Sequence, residues 1–296
     1  MIEQLEKLKK ERDAIIVAHI YQSPEIQDIA DFVGDSLDLS RKAASTDAKT
    51  IVFCGVKFMA ETAKILSPQK TVLMPDIGAG CPMADMINAD EVKKLKQQYP
   101  KHKVVAYVNT SAEVKAESYI CCTSANAVEI VNSIDGGIIF VPDRNLGAFV
   151  QKKSGKPMII ASGFCPTHNN FILPEFIIEA KNAHPNACVL VHPECRPEVI
   201  DLADFAMSTG QMCRYIPTTS QKEFIIGTEN GIIYRLQKDN PGKTFYPVNT
   251  LATCPNMKKT NLAKVLTALL ENKNQITIPQ EIAQKAKKPI KRMLEI

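Results

Sequence analysis

The segment Pro24-Glu-Ile-Gln-Asp-Ile-Ala-Asp-Phe32 returns as Pro197-Glu-Val-Ile-Asp-Leu-Ala-Asp-Phe205, identical at six of nine positions and displaced by 173 residues. Self-similarity at one spacing constrains a fold more than composition does, because each copy has to build the same supersecondary unit. The same displacement carries His19 onto His192 and the Cys81-Pro82 pair onto Cys254-Pro255. A weaker middle copy lies between them. A displacement of 88 carries His19 onto Tyr107, Glu25 onto Glu113 and Ser36 onto Ser124, and Cys81 falls on Cys165 after 84 residues. The 296 residues therefore divide into three units of about 85, rather than the two ordinary domains that length alone suggests.

Within each unit short apolar runs alternate with helical patterns, the rhythm of parallel strands joined by covering helices. Strands are predicted at 14–18, 31–34, 50–54 and 71–74, at 103–108, 119–122, 137–141 and 157–160, and at 187–191, 204–207, 223–226 and 244–246. Pro24 after Ser23 suits the first turn of a helix, Ser36 suits the N-cap of the next, and 57–66 supplies a third. The segments 261–271 and 279–288 read as closing helices. The expected fold is α/β, with three pseudo-threefold-related domains, each a four-stranded parallel sheet sandwiched by helices. The expected boundaries are 1–84 for the first repeat with its N-terminal helix, 85–170 for the second, 171–258 for the third, and 259–296 for C-terminal helices packing back on the body.

Charge and cysteine usage exclude several classes of function. The 36 Lys and Arg against 32 Asp and Glu give +4, spread too evenly for a nucleic-acid surface. No apolar run approaches the ~18–20 residues of a membrane-spanning helix, and the charged amphipathic start is no secretory signal, so a cytoplasmic protein without a membrane partner is expected. Nine cysteines, an odd number, argue against a disulfide framework, and no pair stands in a CxxC spacing. That removes zinc ribbons, thioredoxin-like motifs and the contiguous ferredoxin pattern.

Ligands of open α/β sheets bind beyond the carboxyl ends of the strands. After the first strand of each unit come His19-Ile20-Tyr21, Tyr107-Val108-Asn109 and His192-Pro193-Glu194; after the second come Ser36, Ser124 and Ser208-Thr209; after the fourth come Cys81, Cys165 and Cys254. Three like units meeting with these ends inward collect all of them in one pocket. Any one Cys-Pro pair is most simply a loop thiol, but equivalent placement in three units points to a soft metal or an iron–sulfur cluster. A [4Fe-4S] cluster takes four ligands and the repeat offers three, which leaves one iron open to a substrate oxygen. A zinc ion with three cysteines competes with this reading, although catalytic zinc sites usually include histidine or carboxylate.

The remaining cysteines are plainer: Cys54, Cys121 and Cys188 lie in or beside apolar strands, Cys122 and Cys195 adjoin pocket positions, and Cys213 carries no signal. A lone histidine at a strand end is commonly structural. Two at repeat-related ends, accompanied by Tyr21, Tyr107 and Glu194, point to acid–base work and carboxylate binding. His168, three residues after Cys165, is a candidate beside the metal group. The three hydroxylated helix starts suit an anionic substrate, because helix N-termini offer free N–H groups. Lys258 and Lys259 add positive charge there or form a solvated pair.

The motifs AHIYQ at 18–22, DFVGDSLDLSRKA at 31–43, GVKFMAETAKIL at 55–66, CPMAD at 81–85, CTSANAVE at 122–129, PDRNLG at 142–147, VHPEC at 191–195, STGQM at 208–212 and NMKK at 256–259 give the whole chain a resemblance to the quinolinate synthases. These are iron–sulfur enzymes of de novo NAD biosynthesis. The resemblance implies a [4Fe-4S] cluster on Cys81, Cys165 and Cys254, and condensation of iminoaspartate with dihydroxyacetone phosphate, losing phosphate and two waters, to form quinolinate. It implies that His19, Ser36, the stretch Tyr107, Val108 and Asn109, Ser124, the stretch His192, Pro193 and Glu194, and Thr209 hold substrate and intermediates. Tyr21 and Glu194 are implied in proton transfer, with His19, His192 and Tyr107 beside them. Direct transfer of the unstable iminoaspartate from the enzyme that makes it is a further expected partnership. The family usually has Asn where Ile20 stands and His where Phe164 stands, which makes this pocket more apolar at those edges. Two alternatives remain at this level: a non-catalytic iron–sulfur redox sensor, which needs a fourth protein ligand, and the iron–sulfur proteins of diphthamide synthesis, which also set one cysteine in each of three α/β domains and bind S-adenosylmethionine.

Overall fold

The computed structural model describes residues 1–296. Twelve strands form three parallel sheets of one topology. The first sheet contains β1 (Ala14–His19), β2 (Phe32–Gly34), β3 (Thr50–Cys54) and β4 (Thr71–Leu73). The second contains β5 (His102–Tyr107), β6 (Ile120–Cys122), β7 (Gly137–Val141) and β8 (Met158–Ile160), and the third contains β9 (Cys188–Val191), β10 (Phe205–Ala206), β11 (Glu223–Gly227) and β12 (Thr244–Pro247). Every sheet runs second–first–third–fourth, so the first strand of each unit is central. A parallel sheet buried on both faces needs apolar strands, and Ile16, Val17, Ile51, Val105, Phe140, Leu190 and Phe224 are fully enclosed.

The repeated Ala-Asp-Phe has a structural cause. Asp31 Oδ2 accepts the Ile16 N–H at 2.8 Å, and Asp204 Oδ2 accepts the Val189 N–H at 2.7 Å. Each carboxylate satisfies a strand amide that the short neighbouring strand leaves free; β2 spans three residues and β10 two, where four were expected in each. The backbone N–H at this position bonds the first strand in all three units, Asp31 to Ile16, Tyr119 to Val104 and Asp204 to Val189, and the middle unit, with Tyr119 there, has no carboxylate to add the second bond.

Helix starts depart from expectation in a way that bears on the site. Ser36 does not cap the helix Ser36–Ser45; Asp35 does, its Oδ1 accepting from the amides of Leu37 and Asp38 at 3.0 Å each. A carboxylate makes the stronger, charge-assisted cap, and it leaves the Ser36 hydroxyl for the cavity. Ser208 is a true N-cap, closing a capping box with Gln211. Ser124 lies in the turn ahead of the helix Ala127–Asn132, whose N-cap is Asn126.

The expected closing helix at 279–288 runs further, as Gln280–Leu294, with Pro289 inside it. Proline removes one helical hydrogen bond. Continuation is held by tertiary packing, because Pro289 is buried together with Ala286, Ile290 and Met293, which belong to the core packed on the middle unit. No helix is long and apolar enough to cross a membrane.

Candidate active site

The carboxyl ends of the three sheets open on one cavity of about 200 Å³. Cys81, Cys165 and Cys254 line it together with His19, Tyr21, Ser36, Tyr107, Asn109, Ser124, His192, Glu194 and Thr209. His168 also lines it. Val108 and Pro193 do not; both are buried behind the wall, as is Ile20. Cys122 and Cys195 are buried away from the lining, and Phe164 packs outside it under the Arg144 guanidinium.

Two histidines are held alike by the repeated loop. His19 Nδ1 accepts the Tyr21 N–H at 3.2 Å, and His192 Nδ1 accepts the Glu194 N–H at 3.2 Å. An accepting Nδ1 places the proton of a neutral ring on Nε2. Each imidazole then presents one N–H away from its own loop, and His192 Nε2 reaches Ser124 Oγ at 3.2 Å. Burial, helped by neighbouring positive groups, lowers the pKa of both rings to about 3. They are neutral donors, suited to carboxylate or carbonyl oxygens.

This neutrality has a stability consequence. The unfolded chain protonates its histidines near 6.5, whereas His19 and His192 resist until about 3. Below pH 6.5 the unfolded state binds more protons, so their contribution is complete above that pH and is lost as pH falls through the window. The expected result is a lower Tm at pH 5 than at pH 7, with the drop reduced in His19→Gln. Equal drops in the two proteins would mean that His19 is not held neutral.

Glu194 is the hub of a buried hydrogen-bonded group. His168 Nδ1 lies 2.7 Å from its Oε2, Tyr107 donates its O–H to Oε1, and the residue is 3% exposed. Burial pushes this carboxyl up, but His168, His192 and the Tyr107 hydroxyl together outweigh it and hold it below the usual carboxylate range. Burial and Glu194 push the phenols of Tyr21 and Tyr107 well up, so both keep their protons.

Burial also raises the thiols, Cys81 to about 12, with Cys165 and Cys254 raised as well. Buried thiols become thiolates when a cation offsets the desolvation. Cys165 Sγ, His168 Nδ1 and Glu194 Oε2 lie within 4.8 Å of one another, a group able to hold one metal ion.

Two buried carboxylates were not recognised from sequence as parts of the site. Asp143 Oδ2 accepts the Cys165 N–H at 3.2 Å, and Glu229 Oε1 accepts the Cys254 N–H at 3.0 Å. Both stand two residues past the third strand of their unit, and the equivalent residue in the first unit is Val56. The repeat register could have paired them, since Asp143 lies in the PDRNLG motif. Lys258 is not a free positive charge, because its Nζ is 2.9 Å from Glu229 Oε1 and also donates to the Tyr21 carbonyl. Lys259 donates to the Gly78 carbonyl at 2.7 Å.

A family model described as Quinolinate synthetase A protein matches residues 3–295. Among curated relatives, the quinolinate synthase of Thermodesulfovibrio yellowstonii is 57% identical over 297 residues, covering 100% of this chain and 98% of its own length. That of Dehalococcoides mccartyi is 55% identical over 99% of this chain and 97% of its own length. Quinolinate synthase 1 of Methanosarcina acetivorans is 51% identical over 100% and 97%.

Proposed function

Because the chain belongs to the quinolinate synthase family, we propose that it forms quinolinate by condensing iminoaspartate with dihydroxyacetone phosphate, with loss of phosphate and two waters. The observation that carries this reading is the meeting of three repeat-related cysteines with two neutral imidazoles and a buried carboxylate in one cavity. An electron carrier or sensor has no use for so many aimed hydrogen-bonding groups. Nothing in the cavity favours the diphthamide-type alternative.

The donor set fits a [4Fe-4S] cluster better than one ion. Three thiols from repeat-related loops of three sheets face one cavity, and a cubane held by three protein thiolates keeps one iron open, whereas a catalytic single zinc site usually includes histidine or carboxylate. Cys81, Cys165 and Cys254 would hold the cluster, and the amide bonds from Cys165 and Cys254 to Asp143 and Glu229 keep two of those loops in place. When bound, such a cluster supplies one open iron for Lewis-acid activation of an oxygen that leaves as water.

The protein's own groups do the rest. His19 and His192 donate from Nε2 to substrate carboxylates, and Ser36 and Thr209, in the first turns of their helices, add anion contacts. Tyr21 and Glu194 serve proton removal and return, with Tyr107 and His168 holding Glu194 in place. The enclosing walls keep bulk water from a hydrolysable imine, and an unstable substrate suits direct transfer from the enzyme that makes it.

Protein prepared without air should contain about four irons and four sulfides per chain and should form quinolinate from the two substrates. One tightly held zinc, no sulfide and no quinolinate would sink the reading.

A further inference from the structure

The loop after the first strand of each unit carries residues that line the cavity, and the repeat shows how that loop is held. A displacement of 88 carries Gln22 onto Thr110 and Gln27 onto Lys115, and one of 173 carries the same pair onto Cys195 and Ile200. In the first unit Gln27 Nε2 donates to the carbonyls of Ile20 and Gln22, at 3.0 Å each. In the second unit Lys115 Nζ donates to the Thr110 carbonyl. Two different side chains, each five residues further along the chain, close on the same carbonyl of the repeat. The third unit has no donor at Ile200, and its loop contains Pro193, whose ring fixes φ.

Lys115 is 0% exposed, which is rare for a lysine, and burial pushes its pKa down. The ammonium is held there at a cost that a surface lysine avoids. It lies 5.5 Å from the Phe58 ring, which lines the cavity, while Lys115 itself does not. Its effect passes through the loop. Thr110, also fully buried, gives its hydroxyl to the Tyr107 carbonyl at 3.0 Å. In the other two units the backbone N–H of the equivalent residue makes that bond, Gln22 to His19 and Cys195 to His192. Tyr107 and Asn109 stand on the loop so closed, Tyr107 donating to Glu194 and Asn109 holding a buried Oδ1 with no partner in the protein.

We propose that Lys115 is a positioning residue for substrate binding: by clamping the Thr110 carbonyl it fixes the loop that aims Tyr107 and Asn109 into the cavity, as Gln27 fixes the loop that carries His19 and Tyr21. The clamp needs a hydrogen-bond donor and not a charge, because a neutral amide does the same work in the first unit. The proposal rests on the quinolinate-forming activity proposed above.

The test uses the holoenzyme and the variants Lys115→Met, Lys115→Gln and Thr110→Val, each with iron and sulfide measured, and reads KM, kcat and the Kd of quinolinate by calorimetry. Methionine keeps an unbranched stem and removes the donor. Lys115→Met should raise KM and Kd together by about tenfold, with kcat within about threefold of wild type and iron unchanged, the pattern of lost ground-state binding. Lys115→Gln should bring both constants to within about threefold of wild type, which a role for the charge would not allow. Thr110→Val keeps the clamped carbonyl and removes the hydroxyl bond to Tyr107, and should raise both constants about three- to tenfold. Wild-type constants in Lys115→Met, or a rise in Lys115→Gln as large as in methionine, would overturn the proposal while wild-type activity stands. If the methionine variant does not fold, the other two decide: a tenfold rise in Lys115→Gln or wild-type constants in Thr110→Val would overturn it. Absence of quinolinate formation in the wild type would overturn the functional reading with it.

Discussion

Replacing Cys81, Cys165 or Cys254 with alanine should abolish iron retention and activity together, while Cys54→Ala should do neither. The three cysteines come from equivalent loops of three sheets and face one cavity, so each would supply one ligand of the proposed cluster. A cluster with one open iron has no spare protein ligand, and removing a thiolate leaves two. Cys54 ends β3 with no exposure and lines no part of the cavity. Its truncation is a small core deletion, costing on the order of 1 kcal/mol in stability. Iron, sulfide and visible absorption measured per chain decide the matter. Full iron in Cys165→Ala would mean that His168 or Glu194, both close to that sulfur, serves as a ligand in its place.

Glu194→Ala should reduce kcat/KM by about a thousandfold or more, at the upper end of what one acid–base group contributes. The carboxylate is buried and accepts from His168 and Tyr107 at once. Alanine leaves both donors without an acceptor and removes the one negative group facing two imidazoles. Glu194→Gln should lose less, because the amide oxygen keeps one donor while its NH₂ opposes the other. Iron content should stay at the wild-type level in both variants. A Glu194→Ala enzyme within about tenfold of wild type would place the proton transfers elsewhere in the cavity.

The placement of these residues shows how far a repeat can be read. His19 and His192 were matched by displacement alone, and the structure gives them the same hydrogen bond to the amide two residues on. The cysteines behave likewise: a turn after the fourth strand has to point the same way in each unit when strand order is the same. Asp35 shows the opposite case. Both Asp35 and Ser36 suit an N-cap, and only the path of the chain leaving β2 decides which backbone sits before the helix and which inside it. Pro289 is similar, since local propensity ends a helix there and burial of the surrounding apolar face carries it on.

Periodicity, strand order and the residue types at strand ends are local or repeat-borne, and the amino-acid sequence alone determined them: three parallel sheets, their strand positions, and a pocket holding three cysteines and two histidines. The partnerships inside that pocket were decided by the tertiary structure. Tyr21 meets Thr228 across 207 residues, Tyr107 meets Glu194 across 87, and Glu229 meets the amide of Cys254 only because adjacent strand ends of the third sheet lie side by side. The physical reason is that hydrogen bonds are short and directional. A shift of one ångström between units, invisible in any periodicity, makes or breaks each of them.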